Sequence, residues 1–258
     1  MMSASTAVQF IDLSLSIEEN ASEVIPVQVR YFTHKEGAVQ MGQIFGLNSD
    51  DLPGQLGWAG EEVRMITHAG THMDAPWHYA PVSEGKPALT IDEIPLEWCY
   101  GHGVVLDFRT LEEGSEITVQ DLKSALKNIN YELRPGDIVF LNTGAAQWWG
   151  DGSYPDRGVG LGGSATLWLV EQGIKVIGTD SWGLDRPFKY MRSEFQRTND
   201  INCIWPSHYA GRQREYCQIE KLTNLDLLPP YGFTVFCFPI KIAKASAGWT
   251  RVVAMCKA

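Results

Sequence analysis

Residues 67–81, THAGTHMDAPWHYAP, contain three of the six histidines of the chain together with one aspartate. Imidazole and carboxylate groups are ligands for zinc, manganese and non-haem iron in proteins. His68, His72 and Asp74 supply two nitrogens and one carboxylate, a set that would leave coordination positions open for water and a substrate. The stretch therefore indicates a catalytic metal site, because a solvated loop does not require these imidazoles.

The backbone must bend if these three side chains are to reach one ion. A helix would place His68 and His72 on one face but would turn Asp74 away. A helix is also disfavoured by Gly70 and ended by Pro76. In an extended strand His68 and His72 would lie roughly 13 Å apart, which is too far for a single ion. We therefore predict a strand that ends near His68 and a turn at Gly70, where the missing Cβ permits the bend.

A further imidazole, that of His78, follows closely. It could be another ligand, but a neutral histidine beside a metal-activated water is also suited to be the general base. An isolated histidine is more often a core or surface residue without a chemical role. Because His78 stands with two other histidines and an aspartate in residues 68–78, the chemical interpretation is favoured.

The composition narrows the class of partner. The chain has 31 Asp and Glu against 21 Lys and Arg, a formal net charge of −10. Nucleic acids and anionic membranes bind clustered cations, so we expect neither as a partner. No apolar run reaches the roughly 18–20 residues of a membrane span, and the first residues do not resemble a signal peptide. The five cysteines form no C-x-x-C pair. We expect a cytoplasmic enzyme that acts on a small molecule.

The elements that must position these side chains are strands interrupted by two helices. Alternating or β-branched runs predict strands at residues 8–17, 62–67, 104–108, 137–141, 175–179, 233–242 and 251–255. One helix is predicted over 119–128, with Thr118 as its cap and Asp121 as the reciprocal partner. A second is predicted over 165–172, capped by Ser164 and ended by Gly173. This order predicts a mixed α/β fold without the regular alternation of a doubly wound sheet.

Residues 18–60 separate the first two predicted strands. A loop of this length inside a compact domain is unusual unless it is a functional lid or packs on another subunit. A plain surface excursion is the alternative, and the loop-length argument leaves both open. We expect a single domain over residues 1–258.

The motif His-x-Gly-Thr-His-x-Asp-Ala-Pro-x-His, which begins at His68, resembles the signature of the metal-dependent cyclase family, which includes bacterial kynurenine formamidases and isatin hydrolases. Every position of the motif matches. Four further segments resemble the family: LDFR at 106–109, DIVFLNTGAAQWWG at 137–150, VIGTDSWGLD at 176–185 and IEKLTNLDLLP at 219–229. The resemblance implies a swivelling β/β/α domain and a homodimer or homotetramer, in which residues 18–60 can reach a neighbouring subunit.

The resemblance also implies the metal ligands. Family members use the two motif histidines and the aspartate, here His68, His72 and Asp74. Many add a distant histidine and a glutamate twelve residues later for a second metal, and His208 and Glu220 have that spacing. Asp74 would then bridge two ions, either zinc or manganese. Relatives of the isatin hydrolase type hold a single manganese, but the presence of Glu220 favours two ions per chain.

The reaction implied by the resemblance is hydrolysis of a carbon–nitrogen bond in a small amide, either an N-formyl arylamine or a cyclic amide. A metal-activated water would attack, and His78 would take its proton and pass it to the leaving nitrogen. Some relatives hydrolyse lactones, so a lactone is an alternative substrate. Trp77, Tyr79 and Trp182 could form an aromatic wall for a planar substrate, or they could simply pack in the core.

Two readings from other classes compete with the hydrolase. His72, Asp74 and His208 also match the facial triad of a non-haem iron oxygenase. That reading leaves His68 and His78 without a role, and the two predicted helices do not suit a jelly roll. The second is a non-catalytic metal-binding protein, in which open coordination positions would have no purpose.

Overall fold

The computed structural model describes residues 7–257 of the chain as a mixed α/β arrangement. The strands in chain order are β1 (Val8–Asp12), β2 (Gln28–Phe32), β3 (Gly60–Arg64), β4 (His72–Asp74), β5 (Val82–Ser83), β6 (Lys86–Pro87), β7 (Tyr100–Asp107), β8 (Glu116–Ile117), β9 (Ile138–Asn142), β10 (Gly160–Leu161), β11 (Val176–Thr179), β12 (Cys217–Glu220), β13 (Tyr231–Phe236), β14 (Ala247–Trp249) and β15 (Val253–Lys257). The helices are α1 (His34–Phe45), α2 (Pro76–Tyr79), α3 (Val119–Asn128), α4 (Gly163–Glu171), α5 (Phe188–Thr198) and α6 (Pro206–Ala210). Among these helices none is long and apolar enough to cross a bilayer.

A nine-stranded sheet runs through the molecule in the order β1-β15-β13-β7-β9-β11-β12-β4-β14. Its central strands β7, β9, β11 and β12 are parallel to one another. Antiparallel strands flank them on both sides, and β4 pairs with β12 and β14. In parallel sheets the loops that follow the carboxyl ends of the strands commonly form the ligand site. Glu220, the last residue of β12, lies at this edge, and the loop after β11 begins there.

Both faces of the sheet are buried. In β9 the side chains of Ile138 and Phe140 enter one hydrophobic cluster, and those of Val139 and Leu141 enter the other. This alternation follows from the two-residue period of a strand. Helices α3 and α4 cover the second cluster, to which they contribute buried leucines and alanines.

The two predicted helices both exist, but only one cap was predicted correctly. Helix α3 spans 119–128, and Thr118 and Asp121 form the reciprocal capping box. Helix α4 begins at Gly163, its N-cap is Gly162, and no side chain caps it, so the assignment of Ser164 as the cap was wrong. A Cβ at Gly162 would lie 2.3 Å from a carboxylate oxygen of Glu116. A side chain at the N-cap position would therefore require Glu116 to move.

Residues 18–60, interpreted from the sequence as a long loop, contain regular structure. Strand β2 pairs antiparallel with β3, and helix α1 lies between them. Thr33 and Glu36 form a capping box at the start of α1, a local signal that the sequence analysis missed. The remaining predicted strands are present with shifted ends, and the first is shorter than predicted, since β1 ends at Asp12.

Candidate metal centre

The turn predicted at Gly70 is present and carries the first candidate ligands. Gly70 has a φ of +61°, a left-handed conformation that residues with a Cβ rarely adopt. Strand β4 begins two residues later with His72 and ends at Asp74. Because side chains two apart in a strand share a face, His72 and Asp74 point the same way. His68 lies on the turn and approaches them from outside the sheet.

Pairing between β4 and β12 brings the distant acidic residue to the motif. Asp74 lies opposite Gln218, and His72 lies opposite Glu220. The residue between each pair, Ile219 on β12 and Met73 on β4, points into the first hydrophobic cluster. The four polar side chains therefore share the opposite face of the sheet.

The closest group of candidate ligands surrounds one oxygen of Asp74. Asp74 Oδ1 lies 2.8 Å from His68 Nδ1 and 3.2 Å from His72 Nε2. Glu220 Oε2 lies 3.5 Å from His72 Nε2. Within residues 7–257, neither His72 Nε2 nor Asp74 Oδ1 makes a hydrogen bond of acceptable geometry, although both are buried and lie 3.2 Å apart. Since buried polar atoms are nearly always paired, this donor set fits a divalent cation that both atoms would ligate.

The pKa values of several side chains in the centre are shifted from their ordinary values. Burial opposes ionisation of Asp74, but the surrounding histidines hold the pKa of its carboxyl well below the usual value. Burial and the charge of Asp74 together raise the pKa of Glu220. Burial works against a charged His68, yet the Asp74 carboxylate outweighs burial and raises the pKa of that imidazole. Perturbed carboxylates and imidazoles grouped at a cavity are typical of a functional site.

His78 belongs to one of two candidate ligand sets, since one ligand atom from each of His68, Asp74 and His78 lies within 4.8 Å of the others, as do those of His72, Asp74 and Glu220. The Nε2 atom of His78 lies 3.9 Å from Asp74 Oδ2, and its ring centroid lies 4.1 Å from that of His68. Burial lowers the pKa of His78 to about 4, so the imidazole is neutral at neutral pH. A neutral imidazole at this position can accept a proton.

His208 lies on the other side of Asp74. Its Nδ1 atom is hydrogen-bonded to Asp185, which also accepts the backbone N–H of Ser207. Burial opposes its charged form, but the Asp185 carboxylate outweighs burial and raises the pKa of His208. The Nε2 atom of His208 faces Glu220 Oε1 at 3.7 Å and Asp74 Oδ2 at 4.0 Å. All five predicted metal ligands thus meet, although they are divided over two sides of the carboxylates.

A cavity of about 300 Å³ opens onto this group. His68, His78, His208 and Glu220 line it. Its apolar lining includes Trp182, Phe188 and Trp205, and the ring of Trp205 stacks on His208 with centroids 4.0 Å apart.

Only one of the three predicted aromatic contacts, Trp182, lines the cavity. Tyr79 is buried and stacks on Tyr216 in the second hydrophobic cluster. Trp77 is 43% exposed and is not part of the cavity wall. The core-packing alternative therefore describes Tyr79, since the short helix α2 turns it away from His78 and into the protein.

The sequence analysis did not single out Gln218, Asp185 or Trp205. Strand alternation could have found Gln218, because it precedes Glu220 by two residues in β12. Nothing local marks Trp205, which has a φ of +58° before Pro206. A bulky residue in this conformation is strained, and such strain is concentrated at functional sites.

A buried ion pair joins the N-terminal segment to the turn that carries His68. Lys221 Nζ lies 2.8 Å from Glu23 Oε2, and both side chains are almost completely buried. Lys221 Nζ also donates to the carbonyl oxygen of His68 at 2.9 Å, and Glu23 Oε1 accepts the N–H of Gly70 at 2.6 Å. The pair therefore holds both ends of the turn that carries His68.

Comparisons with known proteins agree with this architecture. The kynurenine formamidase of Bordetella petrii is 29% identical over 195 residues, which is 74% of this chain and 78% of that protein. The kynurenine formamidase of Erythrobacter litoralis is 27% identical over 189 residues, 73% of each chain. The structure of isatin hydrolase A from Ralstonia solanacearum matches with a TM-score of 0.75 over 96% of this chain and 92% of that one, at 21% identity.

The structural match confirms the predicted mixed α/β fold of the cyclase family. A family model described as "Putative cyclase" matches residues 11–186, which is more than half of the chain. This range includes the whole histidine motif and its turn at Gly70. The resemblance found in the sequence is thereby confirmed, and the protein belongs to the cyclase family.

Proposed function

We propose that the protein is a metal-dependent hydrolase that cleaves the carbon–nitrogen bond of a small amide. The observation that carries the proposal is the pair of buried atoms His72 Nε2 and Asp74 Oδ1, which lie 3.2 Å apart and make no hydrogen bond of acceptable geometry within residues 7–257. With His68 they form two imidazoles and one carboxylate beside a cavity. A divalent ion held there would polarise the carbonyl and lower the pKa of water toward neutrality.

The chain itself would supply the proton transfer. His78 lines the cavity and is neutral at neutral pH, so it can take a proton from the attacking water. Water oxygen then bonds to the carbonyl carbon, the carbon–nitrogen bond breaks, and His78 returns the proton to the leaving nitrogen. Trp182, Phe188 and Trp205 give the cavity flat apolar walls. These walls favour an aromatic substrate such as an N-formyl arylamine or a cyclic amide.

Two alternatives are a lactone substrate for the same hydrolase and a non-haem iron oxygenase. A lactone would use the same residues, with a leaving oxygen in place of nitrogen, and stays an alternative substrate. The oxygenase reading requires His72, Asp74 and His208 around one ion. However, His72 approaches Asp74 Oδ1, while His208 faces Asp74 Oδ2 at 4.0 Å. That arrangement, together with the mixed sheet, favours the hydrolase.

The test is an activity screen on protein whose metal content is measured in the same sample. Substrates are N-formylkynurenine, isatin and a lactone. Dialysis against a strong chelator should abolish hydrolysis, and zinc or manganese should restore it. His72→Ala should lose metal and activity, whereas His102→Ala, at an exposed position of β7, should keep both. Undiminished hydrolysis by metal-free protein would contradict the proposal.

We also propose that copies of the chain associate through residues 18–60 as a homodimer or homotetramer. This segment exposes many large apolar side chains, among them Val24, Tyr31, Ile44 and Phe45. Exposed apolar patches commonly mark protein–protein contacts. Light scattering on purified protein should give a multiple of the 28.8 kDa chain mass. A monomer at high concentration would contradict this proposal.

A further inference from the structure

In both Asp74 and Glu220, one carboxylate oxygen faces His72 and the other faces His208. Asp74 Oδ1 and Glu220 Oε2 face His72, on the side that also holds His68. Asp74 Oδ2 and Glu220 Oε1 face the opposite side, where His208 lies. A second ion bridged by Asp74, as the spacing of His208 and Glu220 predicts, would have to occupy this opposite side.

The amide of Gln218 fills that position. Its Nε2 atom donates to Asp74 Oδ2 at 3.0 Å and to Glu220 Oε1 at 2.8 Å. The same atom lies 2.6 Å from His208 Nε2. A zinc ion would have to lie about 2.0–2.2 Å from these same three atoms. The amide nitrogen and an ion cannot share that space.

The amide also stabilises the two neighbouring carboxylates, as a second cation would. Its two N–H groups give hydrogen bonds to both carboxylates, which offsets the proximity of Asp74 and Glu220. The single O–H of Tyr216 lies between two acceptors, the Ser207 carbonyl oxygen at 2.8 Å and Gln218 Oε1 at 3.1 Å, so the amide oxygen of Gln218 lies on the side away from the carboxylates. Gln218 and Tyr216 are both fully buried, so water does not compete for these contacts.

We infer that each chain holds one divalent ion, on the side of His68 and His72, and that Gln218 takes the place of the second. This inference rests on the proposed metal centre but not on the proposed reaction. It departs from the two ions expected from the spacing of His208 and Glu220, because that spacing carries no information about what lies between their side chains.

The test is metal stoichiometry, measured by elemental analysis and native mass spectrometry after saturation with zinc or manganese. Wild type should hold one ion per chain. Gln218→Ala removes the amide and opens the space between Asp74, Glu220 and His208, so this variant should hold two. The matched control Gln213→Ala, at an exposed position, should hold one, as wild type does.

Anomalous diffraction from wild-type crystals keeps the inference testable if Gln218→Ala does not fold. One peak is expected beside His72 Nε2, and none between Asp74 Oδ2 and His208. Two ions in wild type, or a single ion in folded Gln218→Ala, would overturn the inference while leaving the hydrolase proposal intact. A wild type that binds no ion would overturn the metal centre itself and with it the proposed function.

Discussion

The Nε2 atom of His78 lies 3.9 Å from Asp74 Oδ2. This distance allows electrostatic attraction to the carboxylate but is too long for a hydrogen bond. Burial therefore dominates and lowers the pKa of His78 from 6.5 to about 4. In an NMR titration of the metal-free protein, we expect the His78 imidazole to remain neutral down to about pH 4. The pKa of His68 should instead lie above its ordinary value, because the Asp74 carboxylate outweighs burial.

The lowered pKa of His78 should make the free energy of unfolding depend on pH. The folded-state pKa of His78 is below its unfolded value, so folding favours the neutral form. Its contribution to the free energy of unfolding is present above pH 6.5 and is lost as pH falls from 6.5 toward 4. The His78→Gln variant should show a shallower loss of stability over this interval in urea titrations of metal-free protein. An unchanged slope would contradict the shift.

Replacing His78 with alanine should separate the base from the ligands. We expect His78→Ala to keep its metal and to lose on the order of 10²–10⁴ in rate, the usual contribution of general base catalysis. His102→Ala removes an exposed imidazole and serves as the control. Loss of the ion from His78→Ala would show instead that His78 is a ligand.

The turn at Gly70 should not tolerate a side chain. Gly70→Ala forces a Cβ into a φ of +61° and should cost about 1–2 kcal/mol of unfolding free energy. Because the turn carries His68, metal affinity should fall on the order of 10–100-fold, as when groups that orient ligands are changed. Gly85→Ala is the control, since Gly85 also has a positive φ but lies in open space. Equal loss of metal affinity in both variants would contradict a specific role of the turn.

The buried pair of Glu23 and Lys221 should be costly to break. Lys221→Met leaves the Glu23 carboxylate buried without its cation, which should cost about 3–5 kcal/mol in urea unfolding. The exposed pair of Arg30 and Glu62 is the control, and Arg30→Met should cost at most about 1 kcal/mol. Similar losses in the two variants would contradict the role assigned to burial.

The predictions that succeeded from sequence are those set by neighbouring residues. The turn at Gly70 follows from ligand spacing and from the freedom of a residue without Cβ. The capping box of Thr118 and Asp121 is likewise a contact over three residues. The predicted cap of α4 was wrong, because the helix begins one residue before Ser164 and Gly162 is its N-cap.

The composition of the site was predictable, but its division into two sides was not. His68, His72 and Asp74 are marked in the sequence by residue type and spacing, and His208 and Glu220 by the resemblance to the cyclase family. Which oxygen of each carboxylate faces which histidine depends on the register between β4 and β12.

The sequence by itself thus determined the family, the candidate ligand residues and the turn that gathers the first three of them. The tertiary structure alone decided that Gln218 lies between the acidic residues and that Glu23 reaches Lys221. The physical reason is distance along the chain. Glu23 and Lys221 are 198 residues apart, and Gln218 and Asp74 are 144 residues apart. Local residue preferences cannot specify such contacts, because strand register and the packing of both sheet faces fix them only when the whole chain has folded.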